Sequence, residues 1–336
     1  MSINNHKNDI PKFSVVITNY NYAEYVCDSV KSVISQRRDN IEVIVIDDGS
    51  VDDSLLRLKS LFYDNVTIIE QQNQGQSAAL NLAVSKAKGD YIFFLDSDDL
   101  FFNEKLNIYE YVIEMCGSDY SLMYDDFIPI GPSGRVCKRL PTFVEKIWST
   151  VDTSVDFQNN GGRPQYFPPT STIMMPRASA LLVFPLDTSI RISSDGLLVS
   201  RAALIGKFVH VNRTLTKYRV HESNNRGLWA SSLQLLEKCI NDFVLIANDK
   251  ARYASKYDIY SVSNLYQCKA YVDLNAKKDF LSDGKLNPVT KAALMRLPLG
   301  RRLIYKIFDI SPSIFSKKLF SITYKCWGKV KYIRCK

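Results

Sequence analysis

The amino-acid sequence predicts an α/β fold with a mainly parallel, doubly wound sheet and a helical C-terminal extension. Three observations support this prediction. Apolar, β-branched runs alternate with amphipathic helical patterns in the first third of the chain, polar turns follow these runs, and from about residue 228 apolar residues recur at helical spacing. A helix between two strands returns the chain to the edge where the next strand begins, so the alternation favours parallel pairing.

Four strands and three helices are predicted in order along this part of the chain. The strands are Phe13–Thr18, Ile41–Ile46, Val66–Glu70 and Tyr91–Leu95. The helices are Glu24–Gln36, the segment after Ser50–Asp53, and Gln74–Ala87. Three details are expected of these helices: a capping box at Ser50–Asp53, an apolar stripe at Leu55, Leu58, Leu61 and Phe62, and a terminating Gly89.

The bulk properties suit a soluble globular protein. The 336 residues are 46% hydrophobic and 23% charged, which allows one large domain or two smaller ones. Residues 1–11 are polar, predict a disordered N-terminus and contain no secretory signal, and no apolar run is long enough to span a membrane. Seven scattered cysteines without a CxxC pair predict reduced thiols, a cytoplasmic location and no structural zinc.

Polar residues that follow three of the strands are the first indication of a functional site. These residues are 18–22, 47–50 and 96–99. In a doubly wound sheet the ligand crevice lies at the carboxyl ends of the strands. We therefore expect the three turns to converge, although they lie far apart in sequence.

The turn after the fourth strand places Asp96, Asp98 and Asp99 within four residues. Crowded carboxylates repel one another, so this pattern favours a bound cation. Mg²⁺ and Mn²⁺ prefer oxygen ligands and often bind substrate phosphates as well, which suits a nucleotide diphosphate. The D-x-D spacing is a weak motif on its own, and a polar turn or a helix N-cap is an equal alternative.

Asp47 and Asp48 present a similar choice at the end of the second strand. One of them could cap the next helix, or an acidic residue at a strand end could accept hydrogen bonds from a nucleotide. The chain contains no G-x-G-x-x-G, which argues against NAD or FAD. It contains no G-x-x-x-x-G-K-[ST], which argues against a P-loop.

Five blocks of sequence occur together in one order. They are VVITNYNYAEYVCDSVKSVISQ (15–36), EVIVIDDGSVDDS (42–54), NQGQSAALNLAVSKAKGDYIFFLDSDD (73–99), ISSDGLLVSR (192–201) and YRVHESNNR (218–226). Over roughly residues 12–226 the chain resembles the inverting family-2 glycosyltransferases, which have a Rossmann-like GT-A fold. The resemblance implies a nucleotide-sugar-binding half at 12–125, an acceptor-binding half at 126–227 and a helical, basic region at 228–336.

The resemblance also implies roles for individual residues. Tyr20 would lie against the base with Thr18 lining the nucleoside pocket, and Asp48 would bond the uracil edge with Asp47 beside it. Residues near the nucleotide and sugar would be Asn73, Gly75, Gln76 and Asn81. The metal and diphosphate motif would be Asp96, Ser97 and Asp98, with Mg²⁺ or Mn²⁺ held by Asp96, Asp98 and His221. Asp99 would contact the sugar or cap a helix, and Thr170 and Ser171 would lie near the acceptor.

Asp195 matches the general base of the family. Many relatives carry Glu-Asp at this point, whereas this chain has Ser194-Asp195-Gly196, so an N-cap or turn aspartate is the alternative. For His221 the alternatives are a buried, hydrogen-bonded histidine or an exposed loop residue. The implied reaction is an inverting displacement in which a hydroxyl of a saccharide acceptor attacks a UDP-sugar, in the assembly of surface polysaccharides such as O-antigen, capsule or exopolysaccharide.

The net charge of +8 is concentrated in the tail, where thirteen Lys and Arg residues from Lys285 onward face one acidic residue, Asp309. One apolar helical face is predicted there: Phe315, Leu319, Ile322, Cys326, Val330 and Ile333. A basic amphipathic helix predicts peripheral binding to a membrane surface, which would make a lipid-linked saccharide the natural acceptor. Packing on the domain is the alternative, and RNA binding is disfavoured because the tail follows a sugar-transfer domain.

Two other functions fit parts of the pattern. A sugar nucleotidyltransferase also places carboxylates at a metal, but residues 17–22 lack the glycine-rich, basic phosphate loop typical of that class. A non-catalytic module that binds metal or nucleotide would need only the acidic pocket, and the large middle region with Asp195 argues against it. Metal-dependent binding of UDP separates glycosyl transfer from a receiver-like module, whose acidic pocket would merely hold Mg²⁺.

Overall fold

The computed structural model describes most of the first 256 residues. The described ranges are 13–62, 66–136, 147–151, 153, 168–190, 193–221 and 233–256, with the single residues 275, 278, 279 and 282. The predictions for the N-terminus 1–11 and for the amphipathic tail at Phe315–Ile333 lie outside the described residues and stay predictions.

Nine strands form one sheet within the described ranges. They are β1 (Phe13–Asn19), β2 (Ile41–Asp47), β3 (Thr67–Glu70), β4 (Tyr91–Asp96), β5 (Leu100–Phe101), β6 (Leu122–Ile130), β7 (Trp148–Val151), β8 (Ile173–Pro176) and β9 (Phe208–Arg219). Their order across the sheet is β3-β2-β1-β4-β8-β6-β9-β5, and β7 also pairs with β9.

Seven helices accompany the sheet in the same part of the chain. They are α1 (Val26–Ile34), α2 (Ser54–Phe62), α3 (Gln76–Lys86), α4 (Lys105–Cys116), α5 (Arg177–Val183), α6 (Ser194–Ile205) and α7 (Leu233–Lys256). The four strands and three helices predicted in the first third are all present, within one or two residues at most ends. The helical pattern predicted from residue 228 is confirmed by α7.

The first half of the sheet is parallel and the second half is mixed. β1 pairs in parallel with both β2 and β4, and β2 pairs in parallel with β3. β8 runs antiparallel between β4 and β6, while β6 and β9 are parallel to each other. The predicted mainly parallel α/β sheet is confirmed, and the carboxyl ends of β1, β2 and β4 lie together at one edge.

The core covers both faces of the sheet, because side chains of a strand alternate between its two faces. On β1, Val16 packs in the cluster that includes Ala83 of α3. Its neighbours Val15 and Ile17 pack in the opposite cluster, which includes Leu106 of α4. Fully burying each such side chain contributes about 1.5–3 kcal/mol, so the apolar runs fix both the strands and the helices that cover them.

Two predicted helix details are wrong. The capping box is replaced by a different arrangement: the Ser50 hydroxyl bonds Asp47 at 2.8 Å, and the backbone N–H of Ser54 donates to Asp52 at 3.0 Å, where α2 begins. The expected stripe is narrower than predicted, since Leu58 is fully buried whereas Leu61 is 55% exposed.

The predicted terminating glycine of α3 has another function. Ala87 leaves the helix in extended backbone with φ −64° and ψ 130°, so no left-handed residue ends it there. The buried N–H of Gly89 instead donates to Ser14 at 2.8 Å and to Glu42 at 2.9 Å. Gly89 thus joins the start of β4 to β1 and β2. Among the described residues no helix is both long and apolar enough to cross a membrane.

Candidate active site

The β1 turn (residues 18–22) and the β2 turn (residues 47–50) are joined by side-chain hydrogen bonds. The Asn19 amide donates to Asp47 at 2.8 Å and to Ser50 at 3.1 Å. The N–H of Asn21 donates to the Ser50 hydroxyl at 2.9 Å. Asn21 holds a left-handed φ of 57°, a conformation that asparagine tolerates better than most residues. The two turns therefore form one connected edge.

Asp48 ties the β2 turn to the segment that precedes α3. Its carboxylate accepts hydrogen bonds from the side chain of Gln71 at 2.6 Å and from the backbone N–H groups of Gln74 at 2.9 Å and Gly75 at 2.8 Å. Gly75 has φ 90°, which a side chain would strain. A Cβ on Gly49 would lie 2.8 Å from the backbone nitrogen of Asn73, so the two segments pack at a distance that only glycine allows.

The next residue, Gln76, reaches the β4 turn (residues 96–99). Its side-chain N–H donates to the Asp96 carboxylate at 2.8 Å. This bond completes a continuous chain of contacts from the β1 turn through the β2 turn to the β4 turn. The predicted convergence of the three turns is confirmed.

Within the β4 turn, Asp99 points into the protein. It is 1% exposed and accepts hydrogen bonds from the Ser171 hydroxyl at 2.6 Å and the Arg219 N–H at 2.7 Å. The Ser171 hydroxyl in turn accepts the N–H of Asp96 at 3.0 Å. Asp99 and Ser171 thus hold the turn in shape, and their predicted contacts with sugar and acceptor stay predictions.

Arg219 supports the β4 turn from β9. Its Nε donates to the backbone carbonyl of Asp98 at 2.7 Å, and Nη1 donates to the carbonyl of Pro132 at 2.6 Å. The guanidinium lies 4.6 Å from the ring centroid of Tyr25, and the residue is 2% exposed. This buried cation therefore fixes the backbone of the turn and lies close to its negative charge.

His221 contacts the β4 turn directly. Its Nε2 lies 3.0 Å from an Asp98 carboxylate oxygen. The imidazole packs against Tyr22 and Tyr25, with ring centroids 5.4 and 5.0 Å away. The structure shows that His221 and Asp98 are neighbours, and the role of His221 toward a metal or diphosphate stays a prediction.

A buried ion pair lies beneath this turn. Lys105 Nζ is 2.7 Å from Asp125, and both side chains are fully buried. Nζ also donates to the Ser171 carbonyl at 3.0 Å and to the Thr216 hydroxyl at 2.8 Å. Tyr109 and Thr216 donate to the Asp125 carboxylate, each at 2.7 Å. Burial lowers the pKa of Lys105 and raises that of Asp125, and each partner offsets this effect in the other.

Burial and neighbouring carboxylates raise the pKa values of Asp96 and Asp99. Burial, Asp98 and Asp195 raise the pKa of Asp96 well above its usual range. Burial, Asp98 and Asp96 do the same for Asp99. The site therefore concentrates negative charge from the β4 turn and from Asp195, and a cation placed among these groups would be stabilised.

Two tyrosines face the same charges. The pKa of Tyr22 is raised by burial and then by the three aspartates of the β4 turn. The pKa of Tyr218 is raised by burial and then by those aspartates and Asp195. Both phenols therefore stay protonated and can act as hydrogen-bond donors toward the acidic cluster.

Asp195 lies in the first turn of α6, where its carboxylate accepts the N–H of Gly196 at 2.7 Å. An acidic side chain is favourable at this end of a helix. Its charge raises the pKa values of Asp96 and Tyr218, so it lies within electrostatic range of the β4 turn although ninety-nine positions separate Asp195 and Asp96 in the chain. The structure brings the predicted base to the predicted donor site.

The remaining predicted residues lie around this cluster. Tyr20 is 45% exposed, Thr18 is opposite Asp96 in the β1–β4 register, and Ser97 is buried. The Asn73 amide donates to the carbonyl of Asp48 at 3.0 Å. Asn81 uses both amide atoms on the backbone of Leu186, at 2.9 and 2.6 Å. Contacts of these residues with a nucleotide or sugar stay predictions.

The donor set fits a hard divalent cation, because Asp96 and Asp98 supply carboxylate oxygens in a region of concentrated negative charge. In the part of the chain that the structure describes, no three His, Cys, Asp or Glu side chains are arranged as a metal-binding group. The predicted trio of Asp96, Asp98 and His221 is therefore not a preformed cage. Oxygens of a bound diphosphate would have to complete the coordination.

Sequence reasoning missed the residues that support the site from behind. Arg219 stands two positions before His221 in a block already singled out, and Asp125 interrupts an otherwise apolar segment, whereas Lys105 lies among polar residues that give no such signal. A charge inside an apolar run is a usable signal, because a buried charge needs a partner. Its partner, however, is identified only by the fold.

Comparisons with known proteins agree with this arrangement. The family model described as "Glycosyl transferase family 2" matches residues 14–171. An uncharacterized glycosyltransferase, alr2836, from Nostoc sp. is 31% identical over 263 residues, which cover 74% of this chain and 79% of that protein. The minor teichoic acid biosynthesis protein GgaA of Bacillus subtilis is 38% identical over 117 residues, 32% of this chain and 26% of that protein. The chain spans only 42% of the length of a further relative, an uncharacterized glycosyltransferase from Rickettsia felis that is 28% identical over 277 residues.

Solved structures show the same fold. Residues 1–349 of TarS from S. aureus, in complex with UDP, superpose with a TM-score of 0.52 at 16% identity, over 89% of this chain and 90% of that one. At this identity the likeness concerns the fold.

Proposed function

Since the chain belongs to glycosyl transferase family 2, we propose that it transfers a sugar from a UDP-sugar to a hydroxyl group of a saccharide acceptor, with inversion at the anomeric carbon. The observation that carries this proposal is the acidic cluster at the joined ends of β1, β2 and β4, with Asp195 beside it. Ligands of doubly wound sheets bind at this edge.

On the donor side, the hydrogen-bonded β1 and β2 turns form a cradle for a nucleotide. The 45% exposed ring of Tyr20 provides a surface on which a base can stack, next to Thr18 at the end of β1. Asp47 and Asp48 are held by hydrogen bonds within the cradle, so a pocket formed there needs little reorganisation on binding. A free lone pair of Asp48 would accept the N–H of uracil.

Asp96 and Asp98 would hold Mg²⁺ or Mn²⁺ against the diphosphate. A bound divalent cation supplies charge stabilisation to the leaving diphosphate. Arg219 and the Ser171 hydroxyl keep the β4 turn in place, which sets the distance between the two carboxylates. His221 orients the Asp98 carboxylate through its 3.0 Å contact.

Asp195 would be the general base. The acceptor oxygen attacks the anomeric carbon, the bond from that carbon to the diphosphate oxygen breaks, and its electron pair leaves with UDP. The acceptor proton passes to the Asp195 carboxylate as the new bond forms. A positioned base of this kind contributes about 10²–10⁴-fold to the rate. Attack from the face opposite the leaving group inverts the configuration.

The proposed acceptor is inferred from the name of a relative and from the basic tail. GgaA is named as a minor teichoic acid biosynthesis protein. The basic tail that begins at Lys285 would hold the protein at the cytoplasmic face of a membrane, where lipid-linked saccharides are presented. We therefore propose a saccharide acceptor, in its lipid-linked form, for the assembly of a surface polysaccharide.

Titration of UDP, GDP and dTDP into the purified protein by calorimetry, with and without Mn²⁺, tests the donor site. We expect UDP to bind with Mn²⁺, and Asp98→Ala to weaken this binding about 100-fold, as loss of a metal ligand does. Arg252→Ala, on the exposed end of α7, is the matched control and should bind UDP normally. Absence of nucleotide binding in every condition would contradict the donor assignment.

A positive result leads to a second test with UDP-sugars. Release of UDP from UDP-glucose, UDP-galactose, UDP-N-acetylglucosamine and UDP-N-acetylgalactosamine is measured with and without saccharide acceptors. Asp195→Asn should abolish transfer while it leaves the affinity for UDP unchanged, because the base acts after donor binding. Equal turnover by the variant and the natural protein would remove Asp195 from the mechanism.

A further inference from the structure

The C-terminal helix α7 contacts the helix that carries Asp195. Ser193 is the N-cap of α6 and makes no capping bond with its own side chain. Its backbone N–H instead donates to the Asp242 carboxylate of α7 at 3.1 Å, and Asp242 is 2% exposed. Asp195 lies two residues further along the same turn. A buried carboxylate from a distant helix therefore caps the segment that presents the proposed base.

A second bond attaches α7 further along α6. Arg201 donates through Nε and Nη2 to the two carboxylate oxygens of Asp249, at 2.8 and 2.7 Å. Asp242 and Asp249 are two helical turns apart and therefore lie on one face of α7. Their partners occur in the same order on α6, so the two helices run side by side in the same direction.

The first turn of α6 is also held from the donor side. Ser194 is fully buried, and its hydroxyl lies 2.8 Å from that of Ser77 on α3. Ser77 donates its single hydroxyl proton to the carbonyl of Ile190 at 3.0 Å, so Ser194 is the donor in the pair. Ser77 follows Gln76, which bonds Asp96. Contacts through α3 therefore connect the first turn of α6 to the β4 turn, which carries the proposed metal ligands.

We propose that Asp242 is a positioning residue for glycosyl transfer: it fixes the first turn of α6 and thereby the carboxylate of Asp195. This inference rests on the proposed function in the role given to Asp195. It makes α7 part of the catalytic unit, whereas the sequence suggested a separate region from residue 228. A displacement of about 1 Å at a reacting group can cost about 10²-fold in rate, so a contact of this kind matters to the chemistry.

Three variants test the proposal. Asp242→Ala removes the acceptor of the Ser193 N–H, Asp242→Asn keeps a carbonyl oxygen there, and Asp249→Ala breaks the other attachment of the same helix. Hydrogen exchange of the amides of residues 193–197 reports on the turn without any need for activity. Release of UDP from the four UDP-sugars reports on the reaction.

We expect Asp242→Ala to speed exchange at residues 193–197 and to lower kcat about ten-fold or more, while KM for the UDP-sugar and the affinity for UDP change less than about two-fold. Asp242→Asn should restore most of kcat. Asp249→Ala should lower Tm and leave kcat near that of the natural protein. If Asp242→Ala does not fold, Asp242→Gln, which displaces the acceptor by one methylene, replaces it with the same expectations.

Unchanged exchange in Asp242→Ala, or an equal loss of kcat in Asp249→Ala, would overturn the proposal, because α7 would then act only through general stability. Failure of the proposed function gives a different result. In that case the natural protein releases UDP from no donor, and Asp195→Asn has nothing to abolish, while the exchange measurement still tests the contact between Asp242 and Ser193.

Discussion

The β2 turn and the β4 turn both place neighbouring carboxylates at the same edge of the sheet, but their surroundings differ. Asp47 and Asp48 each accept three hydrogen bonds from nearby backbone and side-chain groups. Asp96 accepts one bond from a neutral amide, that of Gln76, and its pKa is raised by burial and by neighbouring carboxylates. The β2 turn is rich in hydrogen-bond donors, and the β4 turn is crowded with carboxylates.

The two turns therefore compensate their carboxylates by different means. A carboxylate that is surrounded by donors has its charge compensated within the fold and stabilises the loop that it accepts from. A carboxylate among other carboxylates destabilises the empty protein and is relieved by a cation. Variants of the two turns should therefore differ in their effect on stability: loss of a carboxylate should destabilise the β2 turn and should not destabilise the β4 turn.

The largest effect is expected beneath the β4 turn. Lys105→Met leaves the buried Asp125 charge without its cation, which should cost about 3–5 kcal/mol in the free energy of unfolding, measured by urea denaturation. Adding Asp125→Leu should recover much of this loss, because both charges are then absent. An unchanged stability for Lys105→Met would show that Asp125 needs no buried countercharge.

At the β2 turn, Asp48→Ala should lower the free energy of unfolding by about 2–3 kcal/mol, because three donors lose their shared acceptor. Two of these donors are backbone N–H groups, of Gln74 and Gly75. Urea denaturation measures the loss, and Gln71→Ala, which removes one donor and keeps the acceptor, should cost clearly less. A loss as small as that of the control would mean that water replaces Asp48 easily.

The matching change at the β4 turn should have a smaller effect of the opposite sign. Asp98→Asn keeps an oxygen for His221 and removes one charge from the cluster, so stability without metal should rise by up to about 1 kcal/mol. The same variant should lose metal-dependent UDP binding. Thermal unfolding without metal and calorimetry with Mn²⁺ measure the two effects, and a destabilised variant would show that repulsion in this turn is already compensated.

The smallest effect is expected at Asp52, just after the β2 turn. Burial alone would raise its pKa, but hydrogen bonds from Ser54 and from the Ala23 backbone bring the pKa below its ordinary 3.8. A depressed pKa stabilises the fold above the unfolded value and loses this contribution as pH falls through the folded value. Asp52→Asn should therefore cost about 0.3–0.5 kcal/mol near neutral pH and nothing in strong acid, since the group is largely solvent-exposed.

Urea denaturation of Asp52→Asn and the natural protein at about pH 7 and about pH 3 measures this difference. Asp53→Asn, on the adjacent exposed residue, is the matched control for the loss of one surface charge. A difference that grows toward acid would reverse the sign and contradict the assignment of the hydrogen bonds.

Much of the fold and part of the site could be predicted from local patterns. The strands β1 to β4 and the helices between them follow from apolar periodicity, and the convergence of their turns follows from parallel pairing alone. Apart from the exposed Leu61, the errors concern groups with competing hydrogen-bond partners. Ser50 was expected to cap α2, yet Asp47 and Asn19 bind its hydroxyl. The partner that a hydroxyl group binds depends on which residues, some of them distant in sequence, lie next to it in the folded chain.

The sequence by itself determined the order of the elements, the edge at which the site forms and the residue types gathered there, because periodicity and strand ends are local properties. Only the tertiary structure decided which aspartates are compensated and which remain crowded, that Asp99 faces Arg219, and that Asp242 reaches the turn of Asp195. These outcomes depend on burial and on contacts between residues far apart in the chain. Desolvation and hydrogen bonding act on such contacts only after the chain has folded.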